Sequence, residues 1–153
     1  MSVYYFLSTS DKNFPDLLSP KKHRPDGSAL NVFSCEEDLY ELEIIKEHTG
    51  GYRDIPFYTE LPFIYTIDWQ FTKERCLRLF EHIKANAEGK NKYELHRIWL
   101  ANCISKSSFR KDIQNGVDSV KKISLSLNTD RESAASILAE AFSGEDFLQI
   151  TLY

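Results

Sequence analysis

Apolar and polar positions alternate from the start of the chain. Over 3–8, Val3, Tyr5 and Leu7 alternate with Tyr4, Phe6 and Ser8, and both sets are largely apolar or aromatic. That pattern suits a strand with at least one buried face. Residues 9–29 carry Pro15, Pro20, Pro25 and Gly27 among polar neighbours and read as a long loop, with a short second strand over 30–34. Ser34 and Glu37 have the spacing of a capping box, and Glu36 and Asp38 favour the positive end of a helix. The spacing predicts a helix over 35–48, stopped by Gly50 and Gly51.

Alternation returns over 63–69, with Phe63, Tyr65, Ile67 and Trp69 on one face. Thr72 is placed to cap a helix whose stripe is Cys76, Leu79, Phe80, Ile83 and Ala87, ended by Gly89. A strand from Tyr93 to Leu100 follows, with Tyr93, Leu95, Arg97 and Trp99 on one side. Over 101–120 the pattern fades, although Phe109 and Ile113 could anchor a helical turn. Residues 123–128 alternate again. Thr129 and Glu132 form a second capping box before the stripe Ala134, Ile137, Leu138, Ala141 and Phe142, and Gly144 stops that helix. A strand over 147–153 buries Leu148, Ile150 and Leu152 and pins this end of the chain into the sheet. The order β-β-α, β-α-β, β-α-β predicts a single α+β domain over 1–153. Its expected architecture is a mixed sheet of five to six strands with three main helices packed on it.

Composition agrees. In 153 residues, 42% are hydrophobic and 27% charged, with only 6 Gly and 5 Pro, which excludes a disordered or low-complexity chain. No apolar run is long enough for a membrane span, and Met1–Ser10 has neither the basic start nor the cleavage pattern of a secretory signal. The net charge of -4 hides a segregation: residues 34–70 carry nine acids and two bases, residues 71–122 twelve bases and six acids. Charge blocks of this kind bear on partners and encounter rates rather than on fold.

Phosphate-binding glycine loops, a GxSxG turn and an HExxH helix are absent from the sequence. Cys35, Cys76 and Cys103 show neither disulfide nor zinc spacing, which fits a reducing cytoplasm. Cys35 stands at a helix start, but the acids that follow it oppose a thiolate, so it reads as structural. Of His23, His48, His82 and His96, the first reads as a polar loop residue and His96 as a satisfied strand imidazole. Cys76 and His82 are six residues apart on one helix and point to different sides, so no metal or other cofactor is expected. The basic stretch (Lys84, Lys90, Lys92, Arg97, Lys106, Arg110, Lys111, Lys121, Lys122) reads as a solvated face rather than a nucleic-acid surface.

The acidic stretch is more specific. Glu36, Glu37, Glu41, Asp54 and Glu60 accompany Tyr52, Phe57 and Tyr58 in a proline-bounded segment. Carboxylates steer a basic partner and aromatics supply contact area, so these eight residues form the candidate partner-binding patch. In the second half, Leu61-Pro62-Phe63-Ile64-Tyr65 through Trp69, a capped helix, and Tyr93-Glu94-Leu95-His96-Arg97-Ile98-Trp99-Leu100 resemble small immunity proteins of bacterial polymorphic toxin systems, contact-dependent growth inhibition among them. The resemblance covers 57–153. It implies a non-enzymatic cytoplasmic protein that binds a cognate toxin domain, often a basic nuclease, and neutralises it by contact, without membrane or nucleic acid. It supplies no catalytic residues. Two other readings remain open: a small RNA-binding or RNA-cleaving domain using His82 and His96, and a ligand-binding regulatory domain.

Overall fold

The computed structural model describes residues 2–18, 42–47, 59–67, 71–100, 120–144 and 147–153. Among them run β1 (Ser2–Thr9), β2 (Ile44–Lys46), β3 (Phe63–Ile67), α1 (Lys73–Asn86), β4 (Tyr93–Leu100), β5 (Lys121–Leu125), α2 (Arg131–Phe142) and β6 (Leu148–Leu152). The strands form one mixed sheet in the order β2-β3-β1-β4-β6-β5. Neighbours are antiparallel except β5 and β6, which are parallel and joined through α2. β3 and β4 both lie antiparallel to β1, so the β3-α1-β4 crossover spans a gap that β1 fills. The class is therefore α+β, as the periodicities predict.

Register shows which side chains share a face. Leu7 is paired with Tyr65 and Leu95, and Leu95 with Ile150, so these four line one side of the sheet. Both helices pack there: Cys76, Leu79, Phe80 and Ile83 of α1 and Ala134, Ala135, Leu138 and Phe142 of α2 join the same buried cluster. Across the top of the layer, Glu81 pairs with Arg131 at 2.9 Å and Lys73 with Glu132 at 3.5 Å. Arg97 points into this layer too, buried, and its Nη1–H donates to the Ala141 carbonyl at 3.0 Å. A guanidinium at the carbonyl end of α2 complements the helix dipole. It also crowds Gly144, where a Cβ would stand 3.3 Å from Nη2.

The segment after β1 is locked down by polar contacts. Tyr93 donates its hydroxyl to Asp11 at 3.1 Å while accepting from the Glu88 amide at 3.1 Å. Tyr65 donates to the Phe14 carbonyl at 2.6 Å, and the Phe14 ring packs on Tyr65, Tyr93 and His82. Burial, with the negative charges of Asp16 and Asp11, pushes the Tyr65 phenol up to about 12. It therefore remains a donor throughout the neutral range.

Three expectations are corrected. A helix over 35–48 cannot include 44–46, which form β2, paired with β3 through Ile44↔Ile67. The described residues thus hold two helices rather than three, and 35–41 and 48 lie outside them. Leu42 and Ile44 are buried while Ile45 is 38% exposed, a strand alternation hidden among glutamates. The cap of α2 is Asp130, one residue later than Thr129; its carboxylate accepts from the Ser133 amide at 2.9 Å. Within α2, Ala135 is buried and Ile137 is 38% exposed, because Ile137 lies about 100° from the centre of the buried stripe. Thr72 caps α1 as expected, accepting from Arg75 at 3.2 Å. The strand Tyr93–Leu100 also has its expected bounds. The expected strand over 30–34, Phe109, Ile113 and Trp69 lie outside the described residues.

Ile44→Ala should destabilise the fold by about 2–5 kcal/mol in chemical denaturation, as for a buried aliphatic. Ile45→Ala should cost within about 1 kcal/mol, the span of strand propensity at exposed positions. Equal costs would contradict the edge-strand assignment.

Candidate functional site

The sheet's second side carries Phe6 and Ile98, both fully buried, with Tyr4, Ile64 and Phe147 packed on them. Next to this small apolar cluster lies a concentration of buried polarity. Ser8 and Glu94 are paired across β1 and β4, and His96 is two residues beyond Glu94 on the same face. The imidazole stacks on Phe6, ring centroids 4.6 Å apart at 17°. Its Nε2 lies 2.8 Å from Ser8 Oγ and 3.2 Å from Glu94 Oε2. Thr59, just ahead of β3, completes the group: its hydroxyl donates to Glu94 Oε2 at 3.2 Å and stands 3.2 Å from Ser8 Oγ. The Leu61 amide donates back to Thr59 Oγ1 at 3.2 Å.

Proton positions follow from the acceptors. An ionised carboxylate only accepts, so His96 carries its proton on Nε2, shared between Ser8 Oγ and Glu94 Oε2. Ser8 then donates to Thr59, and Thr59 to Glu94. Burial of the imidazole holds the His96 pKa below its ordinary value, and the opposing pull of Glu94 does not overcome it. The His96–Glu94 contact is accordingly a hydrogen bond from a neutral ring to the carboxylate at pH 7, not an ion pair. Hydrogen bonding from His96 in turn holds the Glu94 carboxyl below the usual range, against the penalty of its partial burial.

This quartet contains the residue types of a nucleophile–base–acid set but not the geometry. In such a set the acid orients the base through Nδ1 while Nε2 faces the nucleophile. Here Ser8 and Glu94 share Nε2, and both Ser8 and His96 are 0% exposed. The alternative pairing of His82 with His96 fails on position. His82 lies in the helix layer, with Nε2 3.0 Å from the Pro15 carbonyl, and His96 lies on the other side of the sheet. Cys76 is sealed in the core, where burial pushes its thiol up to about 12.

Glu94 also lines an open groove of about 640 Å³ at the end of the sheet where β4 begins and β6 ends. Leu127, Leu152 and the 70%-exposed Tyr153 supply its apolar surface, and Lys90 and Lys92 stand on its rim. The turn forming one wall is tight: the Asn91 amide donates to the Glu88 carbonyl at 3.0 Å, and Gly89 adopts φ +48°. A side chain at Gly89 would be strained by that backbone although nothing lies within 4 Å.

Of the eight predicted patch residues, Glu60 is described, and it is exposed. Glu36, Glu37, Glu41, Tyr52, Asp54, Phe57 and Tyr58 lie outside the described residues, as do His23, His48, Cys35 and Cys103. Through Thr59, the structure places the end of the acidic segment against Glu94 and hence beside the groove. The described basic residues are divided: Arg75 and Arg97 are buried, Lys92 stands at one end of β6, and Lys121 and Lys122 stand at the other. Lys106, Arg110 and Lys111 lie outside the described residues. Sequence reasoning missed Ser8, Thr59 and Glu94. The i,i+2 spacing of Glu94 and His96 on a strand was a usable signal for half of the quartet. Among the described residues no group of three or more His, Cys, Asp or Glu is placed to hold a metal, and no helix is long and apolar enough to cross a membrane. No protein-family model, curated protein or solved structure matches the chain.

The linked titrations give stability a definite pH dependence. The unfolded chain binds a proton at His96 more readily than the folded one. This contribution is intact above the ordinary histidine value of 6.5 and declines as pH falls towards the folded pKa. Glu94 adds a second decline, from its ordinary 4.5 down through its lowered folded pKa. Denaturation at a series of pH values should show stability falling on acidification below about pH 6.5, with His96→Gln flattening the upper part of the curve. An unchanged slope in the variant would rule out His96 as its source.

Proposed function

We propose that this chain is a binding protein that acts by protein–protein contact, an immunity protein that captures a basic toxin domain in the cytoplasm and neutralises it. The reading is supported by the likeness over 57–153, whose two strand motifs fall in β3 and β4 on either side of β1 with the capped α1 between them. The observation that carries it is where polarity is hidden and where it is offered. Ser8 and His96, suited by type to nucleophilic or acid–base work, are withdrawn from solvent. Glu60 instead is exposed, next to buried Thr59 and at the end of the sheet that carries the groove and Tyr153. The binding surface is assigned to Glu36, Glu37, Glu41, Tyr52, Asp54, Phe57, Tyr58 and Glu60.

The direct test is co-production with the toxin domain encoded beside this chain's gene. Growth should be rescued, and the purified pair should co-elute; an unprotected host and separate elution would refute the reading. Charge reversal at Glu36, Glu37, Glu41 and Glu60 should slow association by roughly tenfold or more at low salt, with the difference shrinking as ions screen the charges. Equal rates at low salt would move the binding surface elsewhere.

A further inference from the structure

The quartet does something that neither core packing nor the proposed function requires: it ties a connecting segment to the sheet through titratable groups. Thr59 is not in a strand, yet it is buried, and its hydroxyl meets Ser8, Glu94 and the Leu61 amide. Glu94 Oε2 receives both Thr59 Oγ1 and His96 Nε2, each at 3.2 Å. We propose that Ser8, Thr59, Glu94 and His96 form an acid-operated clamp, which holds the chain at Thr59 against the sheet at neutral pH and releases it when His96 takes up a second proton.

The physical course is short. A neutral imidazole shares Oε2 with the Thr59 hydroxyl. Protonation at Nδ1 turns Nε2–H into a charge-assisted donor, shorter and roughly twice as strong as a neutral one, and it takes Oε2 in preference to the hydroxyl. The new charge sits in a site closed to water, which favours opening of that side. Further acidification protonates Glu94 itself and removes the acceptor on which Thr59 depends. The other charged or titratable groups on that face, among the described residues, are Tyr4 on β1, Lys122 across Gln149, and Lys92 ahead of Glu94. Glu60 adjoins Thr59 in the chain. Lys92 helps hold the Glu94 carboxyl low, and Glu94 offsets the cost of a charged His96.

Amide hydrogen exchange tests this on the whole chain, without a partner. Protection factors, corrected for intrinsic exchange, are compared for 59–61, α1 and β4 at about pH 7.5 and about pH 5. On acidification the Leu61 amide should lose protection by about tenfold or more beyond the smaller loss that α1 and β4 share through global stability, and His96→Gln should abolish that excess loss. Loss of protection in step with α1 and β4, or an identical pH response in His96→Gln, would overturn the clamp. Should His96→Gln fail to fold, Thr59→Val removes one hydroxyl at nearly constant shape. It should leave 59–61 unprotected at both pH values with α1 intact; wild-type protection in that variant would equally overturn the proposal.

Discussion

From Phe6 to Thr9, β1 is paired along both edges and covered on both faces, and the rest of the structure is arranged around that fact. Its register with β4 runs unbroken from Ser2↔Leu100 to Thr9↔Tyr93, and β3 takes its other edge from Phe6 onwards. Strand side chains alternate strictly, so over 6–9, all four buried, a residue has no solvent side to turn to. Leu7 meets the helix layer, whereas Phe6 and Ser8 meet the second face. Any polar atom there must find a partner inside the protein, since an unsatisfied buried hydroxyl costs about 1–3 kcal/mol. The Ser8–Thr59–Glu94–His96 group is the answer to that demand.

The same logic separates this group from a reactive centre. Catalytic chemistry needs a polar group that is both tuned and reachable. His96 is tuned, but by burial that removes it from reach, and its one proton is already shared between two acceptors. Tyr65 and Cys76 are likewise held in their neutral forms by burial. Arg97 spends its charge on the end of α2. What the described surface offers at one end of the sheet is exposed carboxylate, lysine and tyrosine.

Much of the fold was legible from local pattern. The stripe from Cys76 to Ile83 and the alternations in β4 and β6 each announce an element because periodicity and capping act within a few residues. β2 escaped for a definite reason. Its three residues follow a run of glutamates with good helix propensity, and only pairing with β3, about twenty residues later in the chain, makes Ile44 a strand residue. The cap of α2 slipped by one because Thr129 and Asp130 are both competent, and the backbone entering from the β5–α2 turn chooses between them. Ser8 and Thr59 carry no motif that sequence could expose, since their partners are 88 and 35 residues away.

Sequence alone determined the class, most of the strands and both described helices, and the segregation of charge into an acidic and a basic stretch. These properties depend on composition and on neighbours within a turn or two. Tertiary structure decided that Arg75 and Arg97 are buried while Lys92 and the pair Lys121 and Lys122 stand at opposite ends of β6, that His82 and His96 stand on opposite sides of the sheet, and that Glu94 belongs both to a buried network and to an open groove. Those outcomes follow from strand order and register, which bring together residues far apart in the chain and close some of them off from water.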